Sequence, residues 1–177
     1  MERRALAEAL VTVVPADDTE GEALARVQAL LVGGGDPFDR DRLDPGHVTA
    51  SAFVLHPDGD RMLLIFHRKL QRWLQPGGHV EPGDATPWAA AAREVEEETG
   101  LVPEPVGEGA FDVDVHEVAH DGHLHVHFAV RFLVGSAGEP HAGDGVEDIR
   151  WATLAELDSM EESLRRPARK ALGGSGG

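Results

Sequence analysis

The sequence predicts an α/β protein built around one hydrophobic core. Three observations support this fold class: the N-terminal part has apolar residues at helical spacing, several later segments alternate between apolar and polar residues as strands do, and a well-delimited helix lies between them. The chain has 177 residues, which is enough for one well-formed core, whereas two independent domains would both be undersized. We therefore expect one domain with extensions.

Residues 1–46 are predicted to form a helical N-terminal extension. The segment GGGDP at 33–37 interrupts the helical pattern, so two short helices before it satisfy the spacing. The apolar residues that define these two helices are Leu6, Ala9, Leu10 and Val13, followed by Leu24, Val27, Leu30 and Leu31.

Residues 47–172 are predicted to form the main domain, because the periodicity changes to two at His47. Turn residues in HPDGD suggest a hairpin between the first two strands, and WLQPGGHVEPGD is typical of a loop. The predicted strands are HVTASAFVL, RMLLIF, FDVDVHEV, HLHVHFAVRFLV and EDIRWAT. A helix is expected from Leu154 to Leu172, and residues 173–177 have the composition of a flexible tail.

A further helix is predicted to begin at Pro87, with Thr86 as its N-cap, and to stop before Gly100. A mostly apolar stripe on this helix would face the core. Its members are Trp88, Ala91, Ala92, Val95 and Thr99.

The end of this helix carries an unfavourable concentration of negative charge. Glu94, Glu97 and Glu98 fall within an arc of roughly 100° on one face, so they repel each other at the negative end of the helix dipole. A solvated charged face is one explanation, and Glu96, which points elsewhere, is expected to be exposed. The other explanation is a site for Mg²⁺ or Mn²⁺, which prefer carboxylate oxygens.

This acidic segment and the loop before it resemble the Nudix box: G, five residues, E, seven residues, then R-E-aliphatic-x-E-E-x-G-aliphatic. Gly78 opens the motif in GGHVEPGD, and REVEEETGL at 93–101 supplies its second half. Two features depart from the pattern. Asp84 stands where the family has Glu, and eight residues rather than seven separate it from Arg93, which leaves the role of Asp84 open. The flanking strands extend the likeness to about residues 47–158.

The resemblance implies a Nudix-type α/β/α sandwich with a mixed sheet and a loop–helix–loop catalytic motif. It also implies a Mg²⁺-dependent hydrolase, with Mn²⁺ as an alternative ion, that cleaves a diphosphate linked to another moiety. Carried over by position, the metal ligands would be Glu94, Glu97, Glu98 and the Gly77 carbonyl, with Arg93 orienting a glutamate. Candidates for the general base are Glu94 and Glu147, although Glu147 could also be an ordinary loop acid.

Candidate substrate contacts lie on both sides of the glycine loop. His67, Arg68 and Lys69, with Arg72 nearby, form either a solvated turn or a phosphate contact. Gly78 and His79 in the loop itself are further candidates, because glycines let the backbone approach a ligand closely.

Histidine is unusually frequent, with ten in the chain. The alternation places His123, His125 and His127 on one face of a strand. Three interpretations stay open: an exposed polar sheet face, a site for zinc or a similar ion, and a substrate pocket lined by His116, His125 and His127, which His47 could share.

Charge and composition exclude several classes of function. A net charge of −16 argues against an extended nucleic acid as partner, and a small phosphorylated substrate requires metal ions to supply positive charge. We expect no membrane segment and a cytoplasmic location, with which the absence of cysteine agrees. A homodimer is left open, as is the choice among nucleotide, nucleotide-sugar and non-nucleoside diphosphates.

Two alternatives to a pyrophosphohydrolase are also to be considered for these residues. An isomerase of the isopentenyl diphosphate type would usually need a cysteine, which this chain lacks. A ligand-binding or regulatory module without turnover would typically have lost box glutamates, and all three are present.

Overall fold

The computed structural model describes residues 1–120 and 123–173 and contains helices and a β-sheet, which confirms the α/β fold class. The helices are α1 (Arg3–Leu10), α2 (Asp18–Val32), α3 (Pro87–Thr99), α4 (Leu154–Leu157) and α5 (Glu162–Leu172). The strands are β1 (His47–Leu55), β2 (Arg61–His67), β3 (Arg72–Leu74), β4 (Gly77–His79), β5 (Val102–Pro105), β6 (Asp112–His120), β7 (His123–Ala137) and β8 (Val146–Thr153).

The eight strands form one sheet in which β3, β2, β1, β7 and β5 are successive neighbours. The other three strands each pair with a member of this series: β4 with β1, β6 with β7 and β8 with β2. The chain divides into two compact units that are interleaved in sequence.

The first unit comprises Met1–Ser51, Gly77–Ala91 and Glu108–Phe132. The N-terminal helices are part of it, because the Ala110 backbone N–H donates to the Ala9 carbonyl at 2.7 Å. Their apolar faces are removed from water, as the helical spacing predicts. Buried side chains from these helices and from the later segments are Leu6, Leu10, Val27, Leu30, Ala90, Val113 and Phe128.

The second unit comprises Ala52–Pro76, Ala92–Gly107 and Leu133–Gly177. Its centre is the antiparallel pair β2 and β8, whose register runs from Arg61↔Thr153 to His67↔Val146. The apolar run Met62–Ile65 on β2 is fully buried. Thr153 then caps α4 in a capping box with Glu156, so the chain changes from strand to helix at this residue.

Most predicted elements are confirmed, and three differ. The predicted loop WLQPGGHVEPGD contains the end of β3 and all of β4, because these residues find partners on β2 and β1. Strand β5 was not predicted, because it has too few residues for a recognisable alternation of apolar and polar side chains. The single helix expected from Leu154 to Leu172 is divided in two, since the backbone N–H groups of Ser159 and Met160 close short turns onto the carbonyls of Glu156 and Leu157.

Of the helices within residues 1–120 and 123–173, none combines the length and the apolar character that a bilayer crossing requires. The predicted boundary at residue 46 stays a prediction, and most of the predicted tail, residues 174–177, lies outside the described residues.

Candidate functional site

The acidic residues of α3 occupy the last two turns of a helix whose start is defined by the predicted cap. The Thr86 hydroxyl accepts a hydrogen bond from the Ala89 N–H at 3.1 Å. In the final turns, Arg93 Nη1 donates to Glu94 Oε1 and to Glu97 Oε2, both at 3.0 Å. Glu98 is buried, with 6% of its surface exposed, whereas Glu96 is exposed as predicted.

This ion-paired arrangement explains how the helix tolerates its charges. Arg93 lies between two carboxylates and reduces their mutual repulsion. One guanidinium carries one positive charge against three carboxylates, so these four side chains together carry a net negative charge when the acids are ionised. Because Glu98 is buried, the simple interpretation as a solvated charged face does not hold for that residue.

A loop that follows β7 satisfies the carbonyl groups at the end of α3. The N–H groups of His141, Gly143 and Asp144 donate to the carbonyls of Thr99, Glu98 and Glu97 at 2.9 to 3.0 Å. These carbonyls have no partner inside the helix, so the loop replaces water at the negative end of the helix dipole. No local pattern predicts this contact, because it joins two segments that are distant in the chain.

The loop needs glycine at position 143 because a Cβ there would lie 2.0 Å from the Glu97 carbonyl oxygen. We expect Gly143→Ala to push the loop away from the helix end, to lower the free energy of unfolding by about 1–3 kcal/mol, and to reduce turnover. Urea denaturation and an activity assay measure the two effects. Gly34→Ala is the matched control, because its Cβ meets no atom within 4 Å. Equal stability and turnover for both variants would contradict this role of the loop.

The glycine loop before α3 is held close to β1. Strand β4 pairs with β1 in the register Ser51↔Gly77 and Thr49↔His79, and a Cβ on Gly77 would lie 2.2 Å from the Ser51 Cβ. A side chain therefore cannot be accommodated at Gly77. The Asp84 carboxylate accepts a hydrogen bond from the Glu81 N–H at 2.8 Å, so this departure from the motif braces the turn that leads to the helix.

The cationic segment after β2 makes backbone contacts with the start of β8. The Arg68 N–H donates to the Gly145 carbonyl at 2.8 Å, and its guanidinium donates to the Val146 carbonyl at 3.1 Å. His67 Nδ1 accepts from the Lys69 N–H at 3.2 Å. Partial burial, followed by the neighbouring cations Lys69 and Arg72, lowers the pKa of His67, so this side chain is neutral near pH 7.

The same contacts bring Glu147 beside the cationic segment. Gln71 Nε2 donates to Glu147 Oε1 at 3.2 Å and to the Arg68 carbonyl at 2.8 Å. Glu147 itself is exposed. Its carboxylate is thus oriented by an amide and accessible to a ligand, which an ordinary loop acid need not be.

Histidines from four strands, β1, β4, β6 and β7, gather in the first unit, around His47. The centroid of the His47 ring lies 5.0 Å from that of His79, 5.1 Å from that of His125 and 4.9 Å from that of His127. His116 lies against His127 at 5.7 Å. We call these five residues the histidine cluster.

This grouping overturns the interpretation of an exposed polar sheet face. His125 is buried, whereas its neighbour Leu124 is 69% exposed, so the apolar side chain faces water at that point. His47 contacts both His125 and His127, as the predicted sharing of one region requires. His123 belongs to β7, but its side chain lies outside the described residues.

Two members of the histidine cluster, His47 and His127, have lowered pKa values. Burial, followed by the other histidines, lowers the pKa of His127 to about 3. Burial also lowers the pKa of His47, against a hydrogen bond to the Arg42 carbonyl that raises it. Neutral imidazoles donate electron pairs and do not attract phosphate as cations do.

A buried ion-pair chain adjoins the cluster and was not anticipated from the sequence. Arg131 is 1% exposed and donates to Asp112 Oδ1 at 3.0 Å and to Asp114 Oδ2 at 2.8 Å. Asp114 is in turn 3.0 Å from His116 Nδ1. The available signal was the alternation of FDVDVHEV, which places Asp112, Asp114 and His116 on one face of a strand.

Comparison with known proteins identifies relatives across most of the chain. A family model described as NUDIX domain matches residues 45–172. Phosphatase NudJ of Escherichia coli strain K12 is 33% identical over 127 residues, which are 68% of this chain and 76% of that protein.

Solved structures give the same result. A MutT NUDIX hydrolase from Burkholderia pseudomallei is 28% identical with a TM-score of 0.56, covering 70% of this chain and 95% of that one. A NUDIX-family hydrolase from Clostridium perfringens is 25% identical with a TM-score of 0.52, covering 72% and 96%. These matches confirm the fold that the motif at 78–101 predicted.

Proposed function

Because this chain belongs to the Nudix hydrolase family, we propose that it is a Mg²⁺-dependent enzyme that cleaves a nucleoside diphosphate linked to another moiety. Membership makes it a pyrophosphohydrolase that acts on small phosphorylated substrates. The observation that supports metal-dependent hydrolysis is the end of α3. There Arg93 bridges Glu94 and Glu97, and Glu98 is buried in the same turns.

The chemistry of the donor set fits Mg²⁺. Glu94, Glu97 and Glu98 offer only carboxylate oxygens, which hard divalent ions prefer, and their net negative charge favours a cation. These three side chains would hold the ion, with Mn²⁺ as an alternative, and the Gly77 carbonyl stays a predicted further ligand. When bound, the ion would neutralise diphosphate oxygens and lower the pKa of its water.

The protein side chains would have separate tasks in the hydrolysis. The oxygen of water forms a bond to one phosphorus while the bridging P–O bond breaks, so one product takes the bridging oxygen. A carboxylate accepts the proton of the water, and Glu94 and Glu147 are our candidates. Arg93 acts as a positioning residue, because its two hydrogen bonds restrict the rotamers of Glu94 and Glu97.

Among the predicted phosphate contacts after β2, we favour Lys69. His67 is neutral near pH 7 and accepts backbone hydrogen bonds, while the Arg68 guanidinium is bound to the Val146 carbonyl. Lys69 is exposed, so its ammonium group can follow a phosphate without breaking such a contact. The predicted substrate contacts of Gly78, His79, His125 and His127 are retained as proposals.

Removal of divalent ions tests the metal dependence. We expect hydrolysis of a panel of nucleoside diphosphate derivatives to fall at least a hundredfold in excess EDTA and to return with Mg²⁺ or Mn²⁺. Release of the nucleoside monophosphate is measured by chromatography, and release of inorganic phosphate is measured in parallel because the relative NudJ is named a phosphatase. Full turnover in EDTA would contradict a metal-dependent reaction, and turnover of other diphosphates alone would contradict the nucleoside substrate.

A further inference from the structure

A second group of potential metal ligands lies in the histidine cluster. His47 begins β1, His79 ends β4 and His127 lies within β7, and each offers a ring nitrogen. These three nitrogen atoms all lie within 4.8 Å of one another. A tetrahedral zinc ion with Zn–N bonds of about 2.0–2.1 Å brings its ligands to about 3.3 Å, so a modest rotation of the rings closes the site.

His47 is oriented as a metal ligand would be. Its Nδ1 lies 3.0 Å from the Arg42 carbonyl, and a carbonyl can only accept, so Nδ1 carries the proton. The other nitrogen, Nε2, then presents its electron pair. Only 1% of His47 is exposed, and Nε2 is buried with no hydrogen-bond partner in the part of the chain that the structure describes.

An orphaned nitrogen of this kind is unfavourable unless a ligand occupies it. A histidine that binds metal commonly donates its other N–H to a backbone carbonyl or a carboxylate, which fixes the ring and the tautomer. The hydrogen bond from His47 to the Arg42 carbonyl is the first of these arrangements. At the edge of the cluster, His116 Nδ1 lies 3.0 Å from the Asp114 carboxylate, which is the second arrangement.

The hydrogen bonding of His47 distinguishes a metal ion from an anion. With the proton on Nδ1, the buried Nε2 of His47 presents an electron pair and no N–H group to a ligand. A phosphate group would require protonated imidazoles or other cations, whereas a transition metal ion requires neutral nitrogen donors.

We propose that His47, His79 and His127 bind a divalent transition metal ion of the zinc class. Imidazole ligands select zinc, cobalt or nickel over magnesium, while the carboxylates of α3 have the opposite preference. The ion would tie the start of β1 to β4 and β7, and would thereby stabilise the folded chain. This inference rests on the histidine geometry, and its test needs no hydrolysis assay, although His79 and His127 are also proposed substrate contacts.

Titration of the metal-free full-length protein with Zn²⁺ tests the site without an activity assay. Millimolar Mg²⁺ is kept present so that hard-ion sites are occupied. We expect one Zn²⁺ per chain, a rise in the melting temperature on binding, and the visible absorption of tetrahedral Co²⁺ when cobalt replaces zinc. Absence of Zn²⁺ binding to the wild-type chain under these conditions would overturn the proposal.

Variants assign the ion to the three histidines. His79→Gln and His127→Gln should each weaken Zn²⁺ binding at least tenfold and abolish the rise in melting temperature. Both residues are only partly buried, and circular dichroism verifies that the variants fold. His56→Gln is the matched control, because it disrupts the other described group of potential ligands, His56, Asp58 and Asp60, and should leave the affinity unchanged. Wild-type affinity in both cluster variants would refute the assignment.

Discussion

Glu98→Gln is expected to lower the turnover of a diphosphate substrate by about a hundredfold to a thousandfold. The amide has nearly the same shape as the carboxylate, but it lacks the negative charge that a divalent ion requires. Glu98 is buried in the last turn of α3, so a water molecule cannot easily take the place of the lost carboxylate ligand. Steady-state kinetics over a range of Mg²⁺ concentrations measures the loss, and Mn²⁺ binding should weaken in parallel.

Glu96→Gln provides the control for this experiment. It removes the same charge from the same helix, two residues away, but Glu96 is exposed and points away from the other acids. We expect its turnover and Mn²⁺ affinity to match those of the wild type. Glu97→Gln should resemble Glu98→Gln, with the additional loss of one hydrogen bond from Arg93. If Glu98→Gln keeps full turnover and metal affinity, the proposed role of the helix end is wrong.

Asp112→Asn is expected to reduce the free energy of unfolding by about 3 kcal/mol or more. Arg131 and Asp112 are 1% and 0% exposed in their side chains, so the substitution leaves a buried guanidinium with less compensation for its lost hydration. Urea denaturation followed by circular dichroism gives this value. The substitution is expected to affect stability. The proposed binding of zinc at the histidine cluster should weaken only if Asp114 and His116 move as a result.

Two further variants separate the buried charge from a general effect of substitution. Glu8→Gln removes the partner of Arg4 in an exposed ion pair and should leave the unfolding transition unchanged. Adding Arg131→Met to Asp112→Asn should recover part of the stability, because the uncompensated cation is then absent. No difference between Asp112→Asn and Glu8→Gln would contradict the importance of the buried pair.

Local sequence patterns were sufficient for most helices and long strands. Thr86 and Pro87 define the start of α3 and Gly100 its end, since capping and backbone conformation depend on a few neighbouring residues. The spacing of Glu94, Glu97 and Glu98 on one face follows from helix geometry alone. The acidic helix end, and with it the family motif, could therefore be recognised before any tertiary contact was known.

Short elements were harder to predict, because they depend on partners elsewhere in the chain. Strand β4 has three residues, and glycine has low strand propensity, so only its pairing with β1 makes it a strand. The loop that caps α3 is another example, since His141, Gly143 and Asp144 show no periodicity that points to the carbonyls they bind.

The sequence by itself determined the longer helices and strands, the carboxylates of α3 and the family of this protein, because each depends on residues that are near one another in the chain. Tertiary structure decided which side chains from different strands meet. The alternation of β7 placed His125 and His127 on one face, but only strand pairing brought His79 of β4 beside His127 and buried His47 at the start of β1. Periodicity reports the face on which a residue lies, whereas the neighbour of that face is set by the packing of the whole sheet.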